Sequence, residues 1–142
     1  MTAKEYLKQI TRLEKSINLK REKILTLEAI ATNCSPNLSG MPHNPHKSAS
    51  PMADAICKKI DLEKEIACDI ALLDKKKVFM LELIGRLENE DMQMVLIKRY
   101  YDYWSWNKIC EFNYFSPSWT YELHKLGLLA LNDLFATADN IP

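Results

Sequence analysis

The stretch Ser105-Trp106-Asn107-Lys108-Ile109-Cys110-Glu111-Phe112-Asn113-Tyr114-Phe115-Ser116-Pro117-Ser118-Trp119-Thr120-Tyr121-Glu122-Leu123 decides how this chain of 142 residues is read. Ser105 suits an N-cap, because a serine oxygen can accept from the free amides of a first helical turn, and Trp106, Ile109 and Cys110 then face inward. Asn113-Tyr114 supplies a turn. Ser116 caps a further helix with Pro117 at its first position, where a missing N–H costs nothing, and this helix is predicted to continue through Leu123 and Leu131 to about Phe135. Spacing puts Thr120, Leu123, Gly127, Ala130 and Leu134 on its packing face and leaves Ser118, Trp119, Tyr121, Glu122 and Lys125 outward. Two short helices joined by a tight turn have the layout of a helix-turn-helix.

Upstream, the spacing predicts a helix over 90–101, with Met94, Val95, Ile97 and Tyr101 as its apolar positions. Further back, Tyr6, Ile10, Leu13, Ile17, Ile24, Leu27 and Ala31 keep a four-and-three spacing that only Lys20 interrupts. Thr2 stands three residues before Glu5, so a hydroxyl and a carboxylate can cap each other's amides, and a helix is predicted from there to about Ala31. At 1.5 Å per residue it would be about 45 Å long and needs a partner helix. Residues 33–51 hold Pro36, Pro42, Pro45 and Pro51, which break helix and strand alike and mark a connecting loop. A second seam follows as Ile56, Ile66, Ile70, Leu73, Met80, Ile84 and Leu87, with Lys59, Glu63 and Lys77 as polar entries. The expected fold is therefore all-α: a long antiparallel helical hairpin, coiled-coil-like, over 1–89 with its Pro-rich loop at 33–51, then a helix-turn-helix domain over 90–137. Intermolecular pairing of the two long helices competes with the hairpin.

Composition excludes several classes. Three glycines are too few for a P-loop or a dinucleotide fold, and no apolar run approaches the roughly 20 residues that span a bilayer. The N-terminus, charged from Lys4 and Glu5, has no signal-peptide pattern. Cys34, Cys57, Cys68 and Cys110 form no C-x-x-C pair, so free, mostly buried thiols in a reducing cytoplasm are expected. His43 and His46 sit in a proline-kinked loop without a nearby carboxylate or thiol, which argues against a metal. Cys110 and His124 suggest a nucleophile and its base less than they suggest packing, and Tyr100, Tyr103, Trp104 and Trp106 read as core. Lys75-Lys76-Lys77 spreads around a helix and reads as a solvated face. The chain carries 19 basic and 19 acidic residues, unevenly placed: eight and four over 1–51, seven and eight over 52–89, four and seven over 90–142.

The order Ile97-Lys98-Arg99-Tyr100, Ser105-Trp106, Ile109-Cys110, Ser116, Leu123 and Ala130-Leu131 resembles the minus-35-reading C-terminal region of sigma-70-type factors, region 4. Met1-Thr2-Ala3-Lys4-Glu5-Tyr6-Leu7, the loop Leu38-Ser39-Gly40-Met41-Pro42 followed by Pro45, and Tyr121 with Leu123-His124 extend the likeness over nearly the full chain. Together they resemble small phage and prophage proteins of low-GC Gram-positive bacteria, similar to the ArpU/RinA-type late transcriptional regulators. The resemblance implies a non-enzymatic regulator without cofactor or metal, acting in the bacterial host cytoplasm on double-stranded DNA, as a homodimer and with host RNA polymerase as a further partner. It places the helix from Pro117 in a major groove, with Ser116, Ser118, Trp119, Tyr121, Glu122 and Lys125 toward the DNA and Lys98, Arg99 and Lys108 toward phosphates. Pro117, Trp119 and Tyr121 occupy positions often basic in the sigma-like pattern, and Glu122 is acidic. Either the basic first helix, with Lys15, Lys20, Arg21 and Lys23, helps hold the backbone, or the chain is a protein-interaction adaptor. A small DNA-packaging, terminase-like subunit is a third reading, since such subunits also join a helix-turn-helix to a coiled hairpin.

Overall fold

The computed structural model describes residues 1–32 and 51–142. The predicted loop, with Cys34, His43, His46 and the motif at 38–45, lies outside the described residues. Among the described residues the chain is all-α: α1 (Ala3–Thr32), α2 (Pro51–Gly85), α3 (Glu90–Tyr100), α4 (Trp106–Asn113) and α5 (Pro117–Ala136). None of these helices is long and apolar enough to cross a membrane. Pro51 opens α2 rather than closing the loop, for the reason that favours Pro117 at the start of α5: the missing donor would have been unpaired.

The chain divides into two compact units, Met1–Leu13 with Leu72–Pro142, and Glu14–Ala71. Residues 72–89 thus group with 90–142 and with the first turns of α1. In the unit of the chain ends, Thr2 and Glu5 form the reciprocal cap: the Thr2 amide donates to Glu5 Oε2 at 2.8 Å and the Glu5 amide to Thr2 Oγ1 at 3.2 Å. The first bond, to the Thr2 backbone, holds the Glu5 carboxyl below its ordinary range. Ala3, Tyr6, Leu7 and Ile10 are buried. The Tyr6 ring packs against Phe79 and Phe135 at centroid distances of 5.7 and 5.3 Å, tying the start of α1 to α2 and α5. Tyr101 donates to the Lys77 carbonyl at 2.8 Å, and burial pushes its hydroxyl pKa up.

Within Glu14–Ala71, Ile17, Ala55 and Ile66 are buried, and the lysines that interrupt the two seams pair with carboxylates. The Lys20 ammonium, at the interruption of the first seam, lies 2.6 Å from Asp69 and 3.4 Å from Glu65. Lys59 lies 3.0 Å from Glu28 and 3.8 Å from Glu63. Residue 20 thus pairs with 65 and 69, and residue 28 with 59, so these segments of α1 and α2 run antiparallel. Hydrogen bonding, to Asp69 for Lys20 and to Glu28 for Lys59, raises both ammonium pKa values. Ile56 is 40% exposed, and Ala55 takes its expected inward place. The inward row runs Ala55, Lys59, Leu62 and Ile66 at helical spacing, rotated by one residue from a row started on Ile56. Cys57 and Cys68 are exposed and Cys110 half-buried, which corrects the expectation of buried thiols. The first two are eleven residues apart, about three turns, and share the side of α2 away from the inward row.

Candidate nucleic-acid interface

All three C-terminal helices begin on side-chain caps. Asn89 accepts from the Asp91 and Met92 amides, Ser105 from Lys108, and Ser116 from Trp119. Tyr114 ends α4 in the left-handed region, with φ 56° and ψ 34°, and its amide satisfies the carbonyls of Cys110 and Glu111. Only three residues, Tyr114, Phe115 and Ser116, then separate α4 from α5.

The buried side of α5 is Thr120, Leu123, Gly127, Leu131 and Phe135. Ala130 and Leu134, expected on it, are half-buried, because a 3.6-residue period carried over four turns drifts onto Leu131 and Phe135. Leu123 joins Val95 and Ile109 in a core bordered by Met92, Trp104, Trp106 and Phe115. Gly127 faces α3 closely: a Cβ there would stand 3.3 Å from Leu96 Cδ1 and 3.4 Å from Met92 Cβ. Thr120, although polar, is fully buried and satisfied, accepting from Cys110 Sγ at 3.2 Å and donating to the Ser116 carbonyl at 3.0 Å. The opposite side presents Ser116, Ser118, Trp119, Tyr121, Glu122 and Lys125, all exposed, with Trp119 at 46% and Tyr121 at 50%.

The three cations expected beside this surface differ in what they do. Arg99 donates to the Trp104 carbonyl at 2.9 Å and lies 4.6 Å over the Trp106 ring, so its guanidinium is engaged in joining α3 to α4. Lys98 bonds Asp102 at 3.0 Å. Lys98 and Lys108 flank one indole, at 4.5 and 4.3 Å from the Trp104 centroid; Lys98 is half-buried and Lys108 exposed. The aromatic group read as core is split: Tyr103 is exposed in a positive-φ conformation, while Tyr100, Trp104 and Trp106 are half-buried.

Trp106 links α4 to α5 through Tyr121 at 4.9 Å and His124 at 4.8 Å. The Tyr100 hydroxyl and His124 Nε2 share a hydrogen bond of 2.9 Å, whose direction follows the tautomer of the ring. Burial, then the charges of Lys4 and Arg99, push the His124 pKa down to about 4. Cys110 and His124 go to different partners, Thr120 and Tyr100, so they do not form a nucleophile and base. Lys76 is not part of a solvated face: its ammonium lies 4.6 Å over the Tyr6 ring and donates to the Pro142 carbonyl at 3.0 Å.

Sequence reasoning missed Lys4. With Thr2 it lines a cleft of about 420 Å³ whose other walls are His124, Lys125, Leu128, Leu129 and Asn132 of α5. The Ala3 amide donates to Asn132 Oδ1 at 3.1 Å and pins the first turn of α1 there. No signal in the sequence brings residue 4 to residue 125. Charge summed over 90–142 is acidic, whereas the compact unit, with the start of α1 included, holds eleven basic and eleven acidic residues. No family model matches this chain, and no curated protein or solved structure matches it.

Proposed function

We propose that this chain is a DNA-binding transcriptional regulator of a phage or prophage, similar to the ArpU/RinA-type late regulators, and that α5 is its recognition helix. One observation carries the reading. The leading turns of a serine-capped helix are held from behind by Thr120, Leu123 and Gly127 and leave Ser118, Trp119, Tyr121, Glu122 and Lys125 free in front. Such a helix, rigidly backed and three residues from its predecessor, fits the major groove, which is about 12 Å wide.

The roles follow from chemistry. Lys125 donates to guanine O6 or N7, Glu122 accepts from the cytosine amine, Trp119 meets thymine methyl groups, and Ser118 and Tyr121 donate or accept. Lys108 and, less freely, Lys98 contact phosphates. No catalytic step or cofactor is invoked, and homodimer formation and contact with RNA polymerase belong to the same proposal.

Selection of the full chain against a pool of random duplexes, followed by gel-shift titration at two salt concentrations, tests it. An enriched sequence and retardation that weakens steeply with salt are expected. Replacing Tyr121 and Lys125 together by Ala should abolish the sequence preference while leaving the far-ultraviolet helix signal unchanged. No retardation at micromolar protein overturns the proposal in favour of a protein-contact adaptor, the second reading, which the exposed Trp119, Leu126 and Leu129 of α5 favour.

A further inference from the structure

The cleft between the start of α1 and α5 joins two ammonium groups from opposite ends of the chain, Lys4 and Lys125. Lys125 belongs to the outward face of α5, so Lys4 borders that face from the side. Lys8 follows Lys4 by four residues, which places it on the same face of α1, about 6 Å further along the axis. Lys4 and Lys8 are exposed, and among the described residues neither is in an ion pair. The acidic residue between them, Glu5, is bonded to the Thr2 amide by the reciprocal cap, although the Lys8 charge still acts on its carboxylate. That cap and the bond from Ala3 to Asn132 fix the first turn of α1 against α5, so the two lysines project from a braced helix.

We infer that Lys4 and Lys8 are phosphate contacts, extending the surface of α5 onto the DNA backbone beside the bases it reads. The inference rests on the reading of α5 as a recognition helix. Ammonium groups carried about one turn apart on a braced helix, next to a groove-facing helix, neutralise successive phosphates and set the helix in register without carrying sequence information. They also supply the positive charge that the C-terminal residues alone lack.

The test uses the full chain and the duplex that it enriches from the random pool. Each phosphate contact removed lowers the slope of log affinity against log salt by about 0.9. From 50 to 200 mM salt the wild-type chain should therefore lose about 12-fold more affinity than a Lys4→Gln/Lys8→Gln variant. The variant should keep the wild-type sequence preference, and Lys4→Arg/Lys8→Arg should restore the slope. An unchanged slope in the Gln variant, with the wild type still binding its selected duplex, overturns the inference and leaves the recognition-helix reading standing. Loss of sequence preference in the Gln variant, with its thermal midpoint unchanged, likewise overturns it, because phosphate contacts weaken all sequences alike. A wild-type chain that binds no duplex overturns both.

Discussion

His124→Gln removes an imidazole placed at the junction of α3, α4 and α5, and it should change how stability depends on pH. In the folded chain the ring is neutral, with the Tyr100 hydroxyl 2.9 Å from Nε2, and its pKa is down at about 4 against an ordinary 6.5. Between these two values the unfolded chain binds a proton that the folded chain refuses. The stability that the neutral ring allows is therefore complete above pH 6.5, falls as the pH is lowered, and falls no further below pH 4. A shift of that size corresponds at most to about 3 kcal/mol, and the ring's partial exposure reduces it to roughly 1–2 kcal/mol. Urea unfolding followed by circular dichroism at pH 7 and pH 4.5 measures the effect. Carboxylate titration acts on both proteins, so the difference between wild type and His124→Gln isolates the imidazole. The wild type should lose roughly 1–2 kcal/mol more than the variant over that interval. Equal losses, or an imidazole that titrates near 6.5 by nuclear magnetic resonance, would refute the placement of His124 in a half-buried junction beside Lys4 and Arg99.

Ser116→Ala removes the acceptor of the Trp119 amide and should cost about 1 kcal/mol, lowering the thermal midpoint by a few degrees in calorimetry. Gly127→Val should cost about 2 kcal/mol or more in denaturant titration, since even a Cβ there meets Leu96 at 3.3 Å. Gly85→Ala, whose Cβ meets nothing within 4 Å, should instead stabilise by about 0.5–1 kcal/mol, so opposite signs at the two glycines are the expected result. A double-mutant cycle on Lys20→Ala and Asp69→Ala in urea unfolding should return a favourable coupling, and a coupling of zero would mean that the 2.6 Å contact does not hold α1 to α2.

The helices were legible because their ends are local chemistry. Thr2 with Glu5, Ser105, and Ser116 with Pro117 each satisfy donors within three residues, and a reader of the sequence holds all the atoms involved. The outward residues of α5 were legible for a related reason, since Thr120, Leu123 and Gly127 fix the packing face over two turns, too short a span for the period to drift. Over a longer span the drift moved burial from Ala130 and Leu134 to Leu131 and Phe135. The role of Arg99 was not legible: a guanidinium just before a helix-turn-helix pattern reads as a phosphate ligand until a carbonyl and an indole are found beside it. Lys20 looked like an interruption of the first seam, and its partners Asp69 and Glu65 stand on a different helix.

By itself the sequence determined an all-helical chain, where α3, α4 and α5 begin, and which side of α5 leads, because caps, prolines and short-range periodicity act over a few residues. Only the tertiary structure decided which charges are spent on neighbours and which remain free, and it put Lys4 beside Lys125. Electrostatic fields and burial depend on distance through space, and a string of residues does not contain that distance until the helices have packed.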